Sequence, residues 1–343
     1  MISTDLLEKY TKSDVFLSSL KIESGKIIEL VPLAQGEYNV NYSFTHPDSG
    51  KRLLLRINTG SQMHLANQIE YEFSALQDLY PSGRTPKAYF CDNSRSILPH
   101  GLMVMEWLPG RALKYETDMA EAAAILADIH SVPVPSDCAL IRPACPAAGI
   151  YEECLQMAEH YLTWDNAKPY ACRLIDELIR KIGKLPLNSS SQAAPCMVNT
   201  ELNSANFLIN PGSTGYLIDW EKPLLSEPAQ DLGHFLVPTT TFWKTDTILR
   251  PEDIADFTAK YIKAVDGRID LCDLKERLPL FFTVTCLRGI TWCAMAMKEY
   301  SQPGRAIANA DTFSKIKEYL EEDFLENILN NYVKNNFLSE IKL

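Results

Sequence analysis

The first part of the chain alternates hydrophobic and polar positions in a way that predicts β-strands. Residues 28–58 contain three such runs, which read IELVPLAQ, YNVNYSFTH and KRLLLRIN. The tetrapeptide PDSG at 47–50 separates the last two runs, and these residue types favour a tight turn. The pattern therefore predicts a small antiparallel sheet that contains a hairpin.

A helical pattern follows these strands. The segment HLANQIEYEFSALQDLY places apolar side chains three to four residues apart, which is the spacing of one helix face. Proline and glycine at 81 and 83 end the pattern. Two further short strands are predicted at 87–91 and 102–107, and Pro109-Gly110 then breaks the chain.

Beyond Gly110 the pattern becomes mostly helical, with DMAEAAAILADIHSV as the clearest example. One exception is a predicted hairpin, in which FLIN and GYLID flank a Pro-Gly-Ser turn. These patterns predict an α+β fold with a small antiparallel sheet in the N-terminal lobe, residues 1–108, and a mostly helical C-terminal lobe, residues 109–343.

The most apolar segment, Leu278–Met297, is long enough to span a membrane but carries Arg288, Gly289 and three threonines. We interpret it as a buried helix, and no membrane partner is expected. The first 25 residues lack the apolar run of a signal peptide, which predicts a cytoplasmic protein.

Composition narrows the function further. The nine cysteines are scattered without a Cys-x-x-Cys pair, which predicts a reducing compartment and no zinc site. A formal net charge of −11 disfavours nucleic acid, because phosphates require a basic surface. The acidity is compatible with a cationic substrate, and equally with ordinary solubility.

The segment NTELNSANFLINPGSTGYLIDWEKPLLSEPAQDLGHF carries the candidate chemistry. It resembles the core of the aminoglycoside phosphotransferase and choline kinase superfamily. That family has His-Gly-Asp, four residues, Asn, a hairpin that ends in Ile-Asp-Trp, and a later Asp-Leu. The resemblance implies a protein-kinase-like two-lobed fold that binds ATP and Mg2+ beside a small hydroxyl-bearing substrate.

The resemblance also implies roles for particular residues. Asn206 and Asp219 are expected to bind Mg2+ through hard oxygen ligands, and Glu221 lies at the family's second acidic position. Glu201 occupies the position of the catalytic carboxylate. Asp231 is expected to support the catalytic loop through hydrogen bonds, and His130 is expected to be structural.

The family's His-Gly-Asp is replaced here by Asn199-Thr200-Glu201. A glutamate can still accept a hydroxyl proton, but its extra methylene displaces the carboxylate, and such a displacement can cost roughly 10²-fold in rate. Two hypotheses therefore stay open. One is an active small-molecule kinase, and the other is a pseudokinase that binds nucleotide without turnover.

Further nucleotide-binding residues follow from the resemblance. Gly36 and Asn39 lie in the short nucleotide loop LAQGEYNVNYSF. Arg56 in LLLRIN takes the place of the strand lysine and is expected to pair with Glu72, with Glu70 as the runner-up.

The stretch LMVMEWLPGRAL resembles the hinge that binds adenine, through a carbonyl at Glu106 and an amide at Leu108. The identity of the acceptor stays open among amino sugars, choline-like alcohols and homoserine-like amino acids. The preference for ATP over GTP and the oligomeric state are likewise not determined by the sequence.

Overall fold

A computed structural model describes residues 2–36, 38–61, 63–302 and 310–334. The chain divides into two compact units. The first unit combines residues 1–111, 132–141 and 207–223, and the second combines residues 112–131, 142–206 and 224–343. The first unit thus includes two segments that come from later in the chain, while the expected lobe boundary after residue 108 stays a prediction.

The elements confirm the predicted α+β class. The helices are α1 Thr4–Thr11, α2 Asp14–Leu20, α3 Gln68–Leu79, α4 Met119–His130, α5 Pro146–Leu162, α6 Pro169–Ile182, α7 Pro228–Leu236, α8 Pro238–Lys244, α9 Pro251–Val265, α10 Leu274–Tyr300, α11 Ala310–Tyr319 and α12 Glu322–Asn327. The strands are β1 Val31–Gln35, β2 Asn39–Thr45, β3 Arg52–Asn58, β4 Ala88–Asp92, β5 Gly101–Glu106, β6 Arg111–Ala112, β7 Cys196–Val198, β8 Phe207–Ile209, β9 Tyr216–Leu217 and β10 Leu224–Ser226. Short 3₁₀ turns cover Tyr80–Ser82 and Ser204–Asn206, and a π-helix covers Ile328–Lys334.

The first unit is built on a five-stranded antiparallel sheet in the order β1-β2-β3-β5-β4. The predicted hairpin between β2 and β3 is confirmed, since all seven residues of each strand pair across it. The second predicted hairpin is also confirmed, because β8 pairs antiparallel with β9.

The two faces of the sheet differ in character. Leu53, Leu55 and Ile57 of β3 are buried in an apolar core that includes Leu7 of α1 and Phe16 of α2. The alternation of a strand turns Arg56 to the opposite face. The N-terminal helices α1 and α2, which the sequence did not predict, therefore cover the apolar face of the sheet.

Strand register places polar side chains together on the other face. Asn39 pairs with Asn58, and Arg56 pairs with Asn41 of β2 and Met103 of β5. Paired residues of antiparallel strands project to the same side of the sheet. This side consequently holds Asn39 and Arg56, two of the candidate nucleotide-binding residues.

The second unit is mostly helical, with one two-stranded ladder formed by β7 and β10. Its longest element is α10, which is long and apolar enough to cross a membrane by length and composition alone, although 67% of its apolar window is buried. This agrees with the predicted buried helix. Gly233 of α7 allows close packing, because a Cβ there would lie 2.8 Å from the Cβ of Phe281 on α10.

Candidate active site

A cluster of three carboxylates surrounds Arg56 in the first unit. Its Nε lies 3.3 Å from Oε2 of Glu72, and its Nη2 lies 2.9 Å from Oδ1 of Asp219. The same Nη2 also pairs with Oε1 of Glu221. The predicted ion pair between Arg56 and Glu72 is thus confirmed, and the two downstream acidic residues join it.

Local structure explains how these side chains converge. Glu72 is buried on α3, whereas the runner-up Glu70 lies on the exposed side of the same helix. Asp219 follows β9 in the left-handed region, with φ of 67°, a conformation that aspartate tolerates better than most residues. This turn brings both Asp219 and Glu221 to the guanidinium.

Burial and the attraction between Arg56 and its carboxylate neighbours dominate the electrostatics of the cluster. The side chains of Arg56 and Glu72 are only 7% and 2% exposed. Burial raises the pKa of Glu72 to about 8, the Arg56 guanidinium opposes this rise, and the carboxylates of Asp219 and Glu221 add to it. Burial acts to lower the pKa of Arg56, but its carboxylate neighbours outweigh that effect and raise it.

The backbone and side chain of Glu221 are fixed by two amides. Asn39 donates through Nδ2 to Oε1 of Glu221, and Gln68 donates through Nε2 to its carbonyl oxygen at 2.6 Å. Asn58 in turn donates to Oδ1 of Asn39 at 3.1 Å, and the Gly36 amide donates to the Asn39 carbonyl at 2.9 Å. Gln68 was not predicted, because its role depends on a residue 153 positions away.

The predicted adenine hinge lies at the end of β5. Glu106 closes the strand, and its amide donates to the carbonyl of Lys87 at 2.8 Å. Beside Leu108, the Trp107 ring packs 4.1 Å from the Arg52 guanidinium. Met103 is fully buried on the same side of the sheet as Arg56. The roles of Glu106 and Leu108 in nucleotide binding stay predictions.

In the second unit, Asp231 organises the loop that follows β7. Its carboxylate accepts hydrogen bonds from the amides of Asn199 at 2.8 Å and Thr200 at 2.7 Å. The ring of His130 donates from Nε2 to Asp231 and accepts at Nδ1 from the hydroxyl of Tyr261 at 2.8 Å. The predicted supporting role of Asp231 agrees with these contacts, and His130 is buried as a structural residue.

The loop fixes the backbone of Glu201 on both sides. Oδ1 of Asn199 accepts from the Glu201 amide at 3.1 Å, and Nδ2 of Asn206 donates to the Glu201 carbonyl at 2.9 Å. Between them, Thr200 has φ of 70°, in the left-handed region that β-branched residues rarely adopt. Thr200 lies where the family motif of the resemblance has glycine, a residue that adopts positive φ without this strain.

The carboxylate of Glu201 binds an arginine that the sequence did not assign to the site. Arg288 of α10 donates from Nη2 to Oε1 of Glu201 at 3.0 Å, while its Nε lies 3.3 Å from Glu153 of α5. Burial tends to lower the pKa of Arg288, but the carboxylates of Glu153 and Glu201 raise it overall. The available signal was the single arginine in the apolar segment Leu278–Met297, since a buried charge requires a partner.

A histidine lies on the other side of the loop. The Nδ1 of His234 on α7 contacts the carbonyl of Leu202 at 3.0 Å, which requires the ring to donate. Burial lowers the pKa of His234 to about 4, and the positive charge of Arg288 contributes to this shift. The neutral ring therefore persists at ordinary pH.

The predicted metal ligands are Asp219 and Glu221, which belong to the first unit, and Asn206, which belongs to the second. Among the described residues, no group of three or more His, Cys, Asp or Glu side chains is arranged to hold a metal ion. Asp219 and Glu221 nevertheless offer carboxylate oxygens, and the amide oxygen of Asn206 is not used in its bond to Glu201. Each of these groups is a hard oxygen donor of the kind that Mg2+ prefers, and their roles as metal ligands stay predictions.

A strand arginine paired with a helix glutamate, together with an Asp-supported loop ahead of a hairpin aspartate, defines a protein-kinase-like enzyme. The family model described as "Phosphotransferase enzyme family" matches residues 29–271. The chain belongs to this family and is a phosphotransferase.

Solved structures agree on the fold. A spectinomycin phosphotransferase in complex with ADP and spectinomycin superposes with a TM-score of 0.64 at 14% identity, covering 96% of this chain and 98% of the other. Choline kinase from Streptococcus pneumoniae superposes with a TM-score of 0.58 at 17% identity, covering 94% of this chain and 99% of the other. Ethanolamine kinase from Plasmodium vivax superposes with a TM-score of 0.60 at 14% identity, covering 91% of this chain and 88% of the other. No curated protein sequence matches the chain, and none of these comparisons supports the pseudokinase alternative.

Proposed function

We propose that this enzyme transfers the γ-phosphate of ATP to a hydroxyl group of a small molecule. The observation that carries the proposal is the cluster in which Arg56 binds Glu72 and Asp219 at once. A cation held by a buried helix carboxylate, next to a carboxylate suited to a metal, is the arrangement that protein-kinase-like enzymes use to bind nucleotide phosphates.

Each residue of the cluster then has a role. The planar Arg56 guanidinium contacts phosphate oxygens while Glu72 keeps it oriented. Asp219 and Glu221 would hold Mg2+ through carboxylate oxygens, and Asn206 would be the further oxygen ligand that the resemblance implies. Bound magnesium supplies positive charge that neutralises the phosphates during transfer.

Glu201 acts on the acceptor. Its carboxylate orients the hydroxyl and accepts the proton as the hydroxyl oxygen bonds to the γ-phosphorus. The bond between that phosphorus and the β–γ bridging oxygen breaks, and ADP leaves with the electron pair. The hydrogen bonds that fix the Glu201 backbone support this role, because transfer depends mainly on positioning.

The comparisons support a small-molecule acceptor and a nucleotide donor. The spectinomycin phosphotransferase was crystallised with ADP and its antibiotic, and the other two structures are named as kinases of choline and ethanolamine. Amino sugars, amino alcohols and hydroxy amino acids are therefore the acceptors to screen. A cytoplasmic location remains part of the proposal.

The proposal is tested in two stages. ATP with Mg2+ should raise the melting temperature of the wild-type chain, since a ligand that binds the native state stabilises it. Transfer of the γ-phosphate to the three acceptor classes should then be measured. Absence of both the thermal shift and any transfer would refute the proposal.

Two variants of Glu201 test the assignment of the catalytic carboxylate. Glu201→Gln should reduce transfer by about 10²-fold or more and leave ATP affinity nearly unchanged, because the carboxylate serves the acceptor. Glu201→Asp should also lose activity, since shortening withdraws the carboxylate from Arg288. A gain of activity in Glu201→Asp would indicate instead a decayed site that favours the family's residue.

A further inference from the structure

Arg288 binds two glutamates from different elements of the second unit. One edge of its guanidinium contacts Glu153 on α5, and Nη2 contacts Glu201 in the loop after β7. The arginine side chain is 15% exposed, whereas the two glutamate side chains are 36% and 32% exposed. A largely buried cation thus holds the carboxylate to which the proposed function assigns proton transfer.

The chemistry of the altered loop creates a need for such a contact. Glutamate has one more rotatable bond than the aspartate of the family motif, so its carboxylate can occupy more positions. The backbone bonds of Glu201 do not restrict that extra freedom. A guanidinium with two donor edges can fix a carboxylate in one orientation, and arginine keeps its charge at all ordinary pH values.

We propose that Arg288 is a positioning residue that holds the Glu201 carboxylate in the orientation required for transfer. Glu153 supports this role by holding the guanidinium through Nε. The inference rests on the proposed function for its catalytic meaning, but the contact itself is a property of the chain alone.

The base of the Arg288 side chain is held firmly. The next residue, Gly289, faces α8 so closely that a Cβ there would lie 2.5 Å from the Cβ of Thr239. Such an approach leaves little room for α10 to slide or rotate at this point. The guanidinium therefore projects from a rigid helix.

A purely structural ion pair is the competing explanation. In that case Arg288 would contribute to stability by connecting α5 with α10, and its loss would act on the whole fold. Its effect on transfer would then be independent of Glu201. The two explanations predict different results in a double-mutant cycle.

The experiment compares E201Q, R288Q and the double variant in the full chain. It uses ATP, Mg2+ and whichever acceptor the wild type phosphorylates, or water where ATP hydrolysis is the only reaction. R288Q should lower kcat about 10²-fold with little change in the KM for ATP. The double variant should be no slower than E201Q, because Arg288 acts through Glu201. Effects that multiply, or an unchanged kcat in R288Q, would overturn the proposal.

A matched control lies on the same helix. Arg277 forms a comparable buried ion pair with Glu227, and its side chain also donates to the hydroxyl of Ser189. R277Q should destabilise the chain, but its effect on kcat should multiply with that of E201Q. R288K keeps the positive charge but lacks the planar guanidinium with its several donors, and it should retain more activity than R288Q.

If the wild type shows no turnover, crystal structures test whether Arg288 positions the Glu201 carboxylate. In the wild type, Oε1 of Glu201 should lie within hydrogen-bond distance of Arg288, and in R288Q the carboxylate should move or become disordered. An unchanged, ordered Glu201 in R288Q would overturn the positioning role. Failure of the wild type to bind ATP would refute the proposed function and leave this structural result to stand separately.

Discussion

The carboxylate of Asp231 accepts a hydrogen bond from the backbone amide of Thr200 at 2.7 Å. This bond helps to hold Thr200, a β-branched residue, at φ of 70°. The same carboxylate accepts from Asn199 at 2.8 Å. A left-handed conformation costs a residue with a Cβ roughly 1–2 kcal/mol. The loop that carries Glu201 is therefore strained at its centre, and Asp231 of α7 holds it in this conformation.

Replacing Thr200 by glycine should stabilise the protein. Relief of the left-handed strain outweighs the extra entropy of glycine in the unfolded chain, for a net gain of about 1 kcal/mol in the free energy of unfolding. Urea denaturation measures the gain. Thr240→Gly within α8 is the control and should lose stability, because that residue is buried in a helix. A loss of stability in Thr200→Gly would show that the threonine side chain outweighs the strain.

Asp231→Asn should destabilise the protein by about 3 kcal/mol, because the amide turns a donor toward backbone groups that also donate. The carboxylate is completely buried, so water cannot compensate. Denaturant unfolding is the measurement. The exposed Asp246, which pairs with Lys315, provides the control, and Asp246→Asn should change stability by less than about 0.5 kcal/mol. Equal effects of the two substitutions would contradict the supporting role of Asp231.

His234 should make stability depend on pH. Its pKa is about 4 in the folded state against an ordinary value of 6.5, so the unfolded chain binds more protons between these values. The stability that the neutral His234 ring contributes to the folded state is fully present above pH 6.5 and is lost as the pH falls toward 4. The glutamine of His234→Gln can still donate to the carbonyl of Leu202 but does not titrate. Between pH 7 and pH 4.5, the free energy of unfolding of this variant should fall by about 2 kcal/mol less than that of the wild type. Identical pH profiles of unfolding would show that His234 is not the titrating group.

Asp219→Ala should abolish the magnesium-dependent part of the thermal shift produced by ATP, because a metal ligand is removed. The measurement compares melting temperatures with ATP in the presence and absence of Mg2+. Asp92→Ala removes another carboxylate of the first unit, which accepts from Tyr10 at 2.6 Å, and should keep the magnesium-dependent part. An unchanged magnesium-dependent shift of the melting temperature in Asp219→Ala would show that Asp219 is not a metal ligand.

The sequence was sufficient for the ion pair of Arg56 with Glu72, but not for the contacts of Arg56 with Asp219 and Glu221. Strand alternation turned Arg56 away from Leu55 and Ile57, and helical spacing left Glu72 and Glu70 as the two candidate partners. The choice between the two glutamates then depended on which side of α3 became buried, and the structure decides it for Glu72. The short helices α1 and α2 had no comparable signal, since they have only eight and seven residues.

The contact between Arg288 and Glu201 could not be predicted in the same way. The two residues are 87 positions apart, and no local period connects a loop residue to one turn of a long helix. The sequence did show that an arginine interrupts an apolar segment, which predicts a buried partner without identifying it. Likewise, the left-handed conformation of Thr200 was not predicted, since β-branched residues rarely adopt it.

Gly233 and Gly289 are two positions at which the packing of α10 tolerates no larger side chain. A methyl group at either position would collide with Phe281 or Thr239, at 2.8 Å and 2.5 Å. To relieve the collision α10 would have to separate from α7 or α8, and such a shift would disturb the helix that carries Arg288. A mutational scan should thus find intolerance at two positions that bear no functional group, and alanine there would mimic the loss of a charged residue.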